Sequence, residues 1–190
     1  AQGGDADLVL PTTTVEVNSL LQAFVGAQTT KSRTHCLKRL RKYLSTQPEQ
    51  DEEEMADENL SSRSHEIASI PGAIVAFIRC LSDGNAEQQV EASWCLTNIA
   101  GGTHEDALKV IDAMPYFVAF LGGDNKPLQE QALWAVGNLA ADCQEFRDHL
   151  MRSGALVPMI EIFTRSKVPE LLSNAAWALS NLARGTQIPA

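Results

Sequence analysis

The sequence lacks the marks of most catalytic and membrane proteins. It contains no apolar run of about 18 residues and no recognisable secretory signal peptide. Neither the G-x-x-x-x-G-K nor the G-x-G-x-x-G phosphate-binding pattern occurs among its 12 glycines. The chain is therefore expected to be soluble, with no membrane as a partner and no phosphate loop.

Positive charge is in deficit. Fifteen lysines and arginines stand against 24 aspartates and glutamates, which gives a formal net charge of −9. A chain with this balance repels nucleic acid and anionic lipid and attracts basic partners. We therefore expect no nucleic-acid partner.

Cysteine and histidine are few and scattered. No C-x-x-C pair occurs, so the cysteines are expected to be reduced, mostly buried thiols. They are Cys36, Cys80, Cys95 and Cys143. The histidines, at positions 35, 65, 104 and 149, show no spacing typical of a nucleophile's partner or of metal ligands. The sequence thus predicts no enzyme, no catalytic residue, no metal and no cofactor.

Aromatic residues make up only 6% of the chain, but all three tryptophans lie in one recurring motif. Trp94, Trp134 and Trp177 stand about 40 residues apart, and each is followed four positions later by an asparagine. These asparagines are Asn98, Asn138 and Asn181. A period near 40 is typical of helical repeats, which bury a continuous core only when they stack.

The helical phase places each tryptophan away from the apolar stripe. Aliphatic or small residues lie two before, two after and five after the tryptophan, on one face at about 100° per residue. The asparagine and the residue three before the tryptophan (Glu91, Gln131 or Asn174) share the opposite, polar face. Stacked repeats would turn that face into a ladder of indoles and carboxamides. The alternative is that the indoles pack between neighbouring repeats.

Breaks at glycine and proline divide the chain into all-α units of three helices, which favours armadillo repeats over shorter two-helix repeats. The predicted organisation comprises about three full repeats and a partial one. Its parts are residues 1–12 (a disordered tail or a cloning remnant), 13–46 (partial first repeat), 47–64 (acidic insertion loop), and the repeats 65–102, 103–142 and 143–190.

Two charged segments remain outside this pattern. The helix predicted at 31–44 carries a cluster of Lys38, Arg39, Arg41 and Lys42, which we interpret as a solvated face rather than a localisation signal or nucleic-acid patch. Residues 49–58 contain seven carboxylates and are interpreted as an exposed, mobile insertion, with a regulatory or partner-contacting role as the alternative.

Segments 92–103, 130–142, 146–148 and 177–184 closely resemble the second, third and fourth armadillo repeats of importin-alpha, in the same order. The resemblance implies a right-handed superhelix that binds extended, Lys/Arg-rich nuclear localisation signals of cargo proteins. It further implies a place in cytoplasm and nucleus, and importin-beta as a partner through a basic segment that this sequence does not contain.

The resemblance also implies roles for individual residues. Parallel indoles would form slots for lysine stems, and the three asparagines would hold the peptide backbone. Asp142 and the carbonyl of Gly102 would bind the most discriminating lysine. Gln131 and Asn174 match further groove positions, and Arg184 matches an arginine at the groove's end. The alternative function is an armadillo scaffold for another extended partner, without an import role.

Overall fold

The computed structural model describes residues 8–46 and 56–185. Those residues form eleven α-helices and one short 3-10 turn, Ile111–Ala113, and none of them lies in a strand. The helices are α1 Thr14–Val25, α2 Thr30–Ser45, α3 Ala56–Ser69, α4 Ala73–Asp83, α5 Ala86–Ala100, α6 His104–Val110, α7 Met114–Leu121, α8 Lys126–Asp142, α9 Gln144–Arg152, α10 Leu156–Arg165 and α11 Pro169–Leu182.

The helix starts follow the capping signals in the sequence. Thr13 caps α1 and Thr29 caps α2, each in a reciprocal capping box with the residue three positions later. Asn85 caps α5 and Asn125 caps α8 through their side-chain oxygens. These caps satisfy amide donors that a helix leaves unpaired at its first turn, so they fix where the long helices begin.

The helices repeat in threes. After α1 and α2, the units are α3–α5, α6–α8 and α9–α11, and the long third helices α2, α5, α8 and α11 pack against one another in that order. One hydrophobic core runs through all units, and its largest members include Phe24, Phe77, Phe117 and Phe146. The all-α, repeat-based architecture predicted from the sequence is confirmed.

The boundary of the predicted acidic insertion loop, 47–64, is wrong at its carboxyl end. Helix α3 already begins at Ala56, and Ser64 is 2% exposed and donates from Oγ to the carbonyl of Asn98 at 3.2 Å. Residues 47–55 lie outside the described part of the chain.

The interpretation of the basic cluster on α2 as a solvated face is wrong for Arg41. This residue is 8% exposed, its Nε donates to Glu91 Oε2 at 2.6 Å, and its guanidinium carbon lies 4.6 Å from the centroid of the Trp94 ring. Lys38 pairs with Glu87 at 2.7 Å, also on α5. The basic face of α2 therefore joins the first two units.

Among the described helices, none is long and apolar enough on its own to cross a bilayer. The segment 63–69 and α4 would qualify only as a pair, and they meet at an angle of 86°.

Three of the four cysteines are buried, and none forms a disulfide, as the sequence predicts. Burial raises the pKa of the Cys80 thiol to about 11 and that of Cys95 well above its usual value. Burial also raises the pKa of Cys36, although nearby Arg39 opposes the shift. Only Cys143 is partly exposed.

We expect one of the four thiols to react rapidly with a thiol reagent in the native protein, because thiolate and access are both required. The measurement is the kinetics of labelling with Ellman's reagent, with and without denaturant. Cys143→Ser is expected to abolish the fast phase. A fast phase that persists in this variant would contradict the burial of the other three.

A candidate peptide-binding groove

The site lies between the third helices of two neighbouring units. A groove of about 560 Å³ separates α5 from α8, and five of the predicted site residues line it: Trp94, Asn98, Gln131, Trp134 and Asn138. The rest of its lining is Val90, Thr97, Gly101, Pro127 and Glu130. The structure thus brings the motif residues of two repeats to one surface.

The first two indoles face solvent, as the helical phase predicts. Trp94 is 36% exposed and Trp134 is 41% exposed, whereas the apolar positions two and five residues further along the same helices are fully buried. An aromatic side chain held this far out of a core leaves an apolar, electron-rich surface for a ligand.

Trp177 does not form the predicted slot with Trp134. The two rings contact each other, with centroids 5.0 Å apart and planes tilted by 47°, so no alkyl chain fits between them. The reason is Gly137, where a Cβ would stand only 2.0 Å from Trp177 Cζ3. The missing side chain lets the half-buried Trp177 settle on α8, so the packing alternative holds for this indole.

Gly137→Ala is expected to displace the Trp177 ring from its packing position against α8. Alanine gains about 1 kcal/mol in helix propensity, but the collision with the ring costs about 1–3 kcal/mol, so we expect a net loss of stability. Chemical denaturation should show the loss, and tryptophan emission should shift to the red as the indole enters water. Gly123→Ala is a matched control, because a Cβ there would meet its nearest atom at 3.5 Å. Unchanged emission in Gly137→Ala would contradict this packing.

The three asparagines of the motif already form hydrogen bonds within the protein. Asn138 donates from Nδ2 to the carbonyl of Thr97 at 3.0 Å, and Asn181 donates to the carbonyl of Gly137 at 3.1 Å. Asn98 donates to Ser45 Oγ at 3.2 Å. The amides therefore tie each unit to the one before it, which the sequence analysis did not predict.

Burial separates the three asparagines further. Asn98 and Asn138 are half-buried and line the groove, so each still presents its amide to a ligand. Asn181 is 1% exposed, and its Oδ1 has no hydrogen-bond partner within the described residues. In this conformation the first two amides are accessible from the groove and the third is not.

Gln131 lies deeper in the groove than its position on the polar face predicts. It is 8% exposed, and within the described part of the chain its Oε1 is buried without a hydrogen-bond partner. Because an unpaired buried acceptor is costly, this oxygen favours a ligand that brings a donor.

Asp142 lies at the end of α8, where His104 of the same chain already contacts the carboxylate that is predicted to bind a ligand lysine. The Asp142 side chain is 18% exposed, and Oδ2 lies 2.5 Å from Nδ1 of His104. The imidazole stacks on Phe146, with ring centroids 5.7 Å apart and planes 23° from parallel. A ligand ammonium must therefore displace His104 or share the carboxylate with it.

Six predicted site residues do not line the groove between α5 and α8: Trp177, Asn181, Asp142, Gly102, Asn174 and Arg184. Gly102 follows α5 and is half-buried, and Asn174 is half-buried on α11. Arg184 is exposed just beyond α11. The roles implied for these three by the resemblance remain predictions.

Two ionisable residues of this region were missed. Glu130 lines the groove, and its place four residues before Trp134 puts it on the same helix face, which was the available signal. His104 could not be found from spacing, because its contact with Asp142 spans 38 residues. The packing of α6 beside α8 within one unit brings them together.

The fold and the groove together define an armadillo repeat protein. The profile of the Armadillo/beta-catenin-like repeat family matches residues 68–101, 103–141 and 143–184, the last two of which cover α6–α8 and α9–α11. The chain belongs to this family.

The similarity to importin-alpha is confirmed at the level of whole segments. The chain is 40% identical to importin subunit alpha-9 of Arabidopsis thaliana over 124 residues, which are 64% of this chain and 24% of that protein. It is 39% identical to importin subunit alpha-1b of Oryza sativa subsp. japonica over 121 residues, 62% of this chain and 23% of that protein. The chain spans about a quarter of the length of these relatives.

Solved structures share the fold. An engineered protein superposes with a TM-score of 0.73 at 21% identity, covering 88% of this chain and 62% of its own. A designed armadillo repeat protein, solved in complex with the peptide (KR)4, superposes with a TM-score of 0.62 at 21% identity, covering 95% and 87%. At these identities the comparison concerns the fold alone.

Proposed function

We propose that the groove binds an extended, Lys/Arg-rich peptide segment of the kind that serves as a nuclear localisation signal. On this proposal the chain is a non-enzymatic adaptor in nuclear protein import, works in cytoplasm and nucleus, and partners importin-beta through a segment outside this sequence. The observation that carries the proposal is the groove between α5 and α8, with two exposed indoles, two reachable amides and the carboxylate of Glu130 in one surface.

The chemistry of the groove favours a basic ligand. Indole faces attract a Lys or Arg side chain by about 0.5–2 kcal/mol each, and they cover its aliphatic stem as well. Glu130 supplies the countercharge within the groove, and the net charge of −9 steers cations towards the protein.

A ladder of three parallel indoles would offer a slot for a basic side chain between each neighbouring pair, and this structure offers fewer. One contact of Trp94 is already made by the Arg41 guanidinium, and Trp134 leans on Trp177. The open space is the one between Trp94 and Trp134, so we propose that this interval takes the principal basic side chain near the peptide's middle.

The amides serve the peptide backbone rather than its sequence. A carboxamide offers both a donor and an acceptor, so Asn98 and Asn138 can each bond a peptide N–H or C=O while keeping one bond to the neighbouring unit. Gly101 leaves room for the Asn138 side chain, because a Cβ at position 101 would lie only 2.9 Å from Asn138 Nδ2.

The test is a fluorescence anisotropy titration of a labelled peptide, Pro-Lys-Lys-Lys-Arg-Lys-Val, at two salt concentrations. Its control replaces every basic residue by glutamine. Micromolar or tighter binding of the basic peptide alone supports the proposal. Equal binding of both peptides would contradict the proposed preference for basic peptides and favour the scaffold function. Binding that vanishes at physiological salt would indicate only diffuse electrostatic attraction.

A further inference from the structure

We propose that His104, Asp142 and Cys143 form a binding site for a zinc-like divalent cation at one end of the peptide-binding surface. The imidazole nitrogens, the carboxylate oxygens and the thiol sulfur each offer one ligand atom, and these three atoms all lie within 4.8 Å of one another. Nothing in the sequence spacing predicts this cluster, because His104 lies 38 residues before Asp142 and meets it only when α6 packs beside α8.

The geometry needs only small side-chain movements to hold a cation. Ligand atoms at about 2.0–2.3 Å from a tetrahedral zinc ion lie about 3.3–3.8 Å from one another. His104 and Asp142 are now 2.5 Å apart in a hydrogen bond, and the imidazole side chain is 55% exposed, so solvent-side space is open for a small rotation of the ring on Phe146. Three protein ligands leave a fourth position open for water.

The donor set selects the metal. Imidazole and thiolate are ligands of intermediate and soft character, which favour zinc over magnesium or calcium. Cys143 is the only partly exposed cysteine of the four, and it makes no side-chain capping bond to α9. Cys143 packs against the core, but its sulfur lies within 4.8 Å of the other two ligand atoms.

The Asp142 carboxylate is the main countercharge for a positive ion at this site. The carboxyl end of the 17-residue helix α8 adds to it, whereas the amino ends of α6 and α9, at His104 and Cys143, act against it. The nearest basic side chain on α9, Arg147, turns its guanidinium to the Ala140 carbonyl at 2.8 Å and to Gln144 Oε1 at 3.2 Å. The stacking of His104 on the fully buried Phe146 gives the imidazole a fixed support.

A cation held here would occupy the Asp142 carboxylate, for which the resemblance to importin-alpha implies a ligand lysine. This consequence rests on the proposed function, whereas metal binding itself does not. Zinc would then act as a competitor of basic peptides at Asp142.

Metal binding is tested first, without any peptide, by titrating the reduced protein with Co²⁺ and then with Zn²⁺. We expect one equivalent of Co²⁺ to give the visible bands of a tetrahedral site and a thiolate charge-transfer band, and Zn²⁺ to displace it. His104→Ala and Cys143→Ser should each weaken binding by more than the about 10- to 100-fold that removal of an outer-shell partner costs. His35→Ala, which removes an exposed histidine on α2, should bind as the wild type does.

Thermal unfolding of each variant, measured without metal, separates loss of a ligand from loss of the fold. Retained Co²⁺ affinity in folded His104→Ala and Cys143→Ser, or weak binding of several equivalents without a thiolate band, would overturn the proposed site. Such a result would not bear on peptide binding, because the affinity for the basic peptide is measured separately, with a chelator present to remove metal.

The competition is tested by peptide titration with and without saturating Zn²⁺. We expect zinc to lower the affinity of the wild type to that of Asp142→Asn, and to have no effect on Asp142→Asn or Cys143→Ser. An unchanged affinity in a zinc-loaded wild type would overturn the competition while leaving the metal site standing. Absence of peptide binding in chelator would refute the proposed function instead.

Discussion

Asp142→Lys is expected to weaken binding of the basic peptide by at least about tenfold, or about 1.4 kcal/mol. The Asp142 side chain is only 18% exposed, so its charge is less screened than that of a surface acid. The substitution both removes an acceptor and places a positive charge against the ligand. Anisotropy titration in the presence of a chelator measures the change.

Two companions make this result specific. Asp112→Lys makes the same change of charge at an exposed residue of the 3-10 turn, at none of the predicted site positions, and we expect its effect on peptide affinity to be about twofold or less. His104→Ala removes the intramolecular partner of Asp142 and should strengthen binding. Equal losses in Asp142→Lys and Asp112→Lys would contradict a local role for Asp142.

Trp134→Ala is expected to cost about 1–2 kcal/mol of peptide binding, a rise of about five- to thirtyfold in Kd. Trp134 forms one wall of the groove and is the more exposed of its two indoles. The loss combines the cation–π attraction with the apolar cover of the ligand's stem. Isothermal titration calorimetry of wild type and variant measures it.

The matched control is Phe163→Ala, which removes a 46% exposed aromatic on α10, outside the groove. Its peptide affinity should equal that of the wild type. Thermal unfolding should show a loss for Trp134→Ala that adds about 0.5–1.5 kcal/mol for the contact with Trp177 to the loss of the ring's buried apolar area. A Trp134→Ala protein that is stable and binds normally would refute the groove.

The fold could be predicted from the sequence because local signals, namely helix caps and the spacing of apolar residues, mark most of the helices. Thr13 and Thr29 mark helix starts, and the apolar positions around each tryptophan follow one helical phase. The exposure of Trp94 and Trp134 follows from the same phase. Helix α3 was the exception, since an acidic segment carries little apolar periodicity from which to read its start.

The site could be predicted only in part because its details depend on contacts between units. The collapse of Trp177 onto Trp134 depends on the space left by Gly137 in the preceding unit. Likewise, Arg41 reaches Glu91 in the next unit across 50 residues, and within one unit His104 reaches Asp142 across 38. A helical phase gives the face of a residue, not the neighbour that stacking brings against it.

The most direct test of the account is an ¹H–¹⁵N correlation spectrum of the three indole Nε1–H groups during titration with the basic peptide. We predict large, saturable shifts for Trp94 and Trp134, a smaller shift for Trp177, and the loss of all three responses with the glutamine peptide. Assignment follows from single Trp→Phe variants. Equal small shifts of all three indoles, or none while anisotropy reports binding, would show that the peptide binds elsewhere and would contradict the groove as its site.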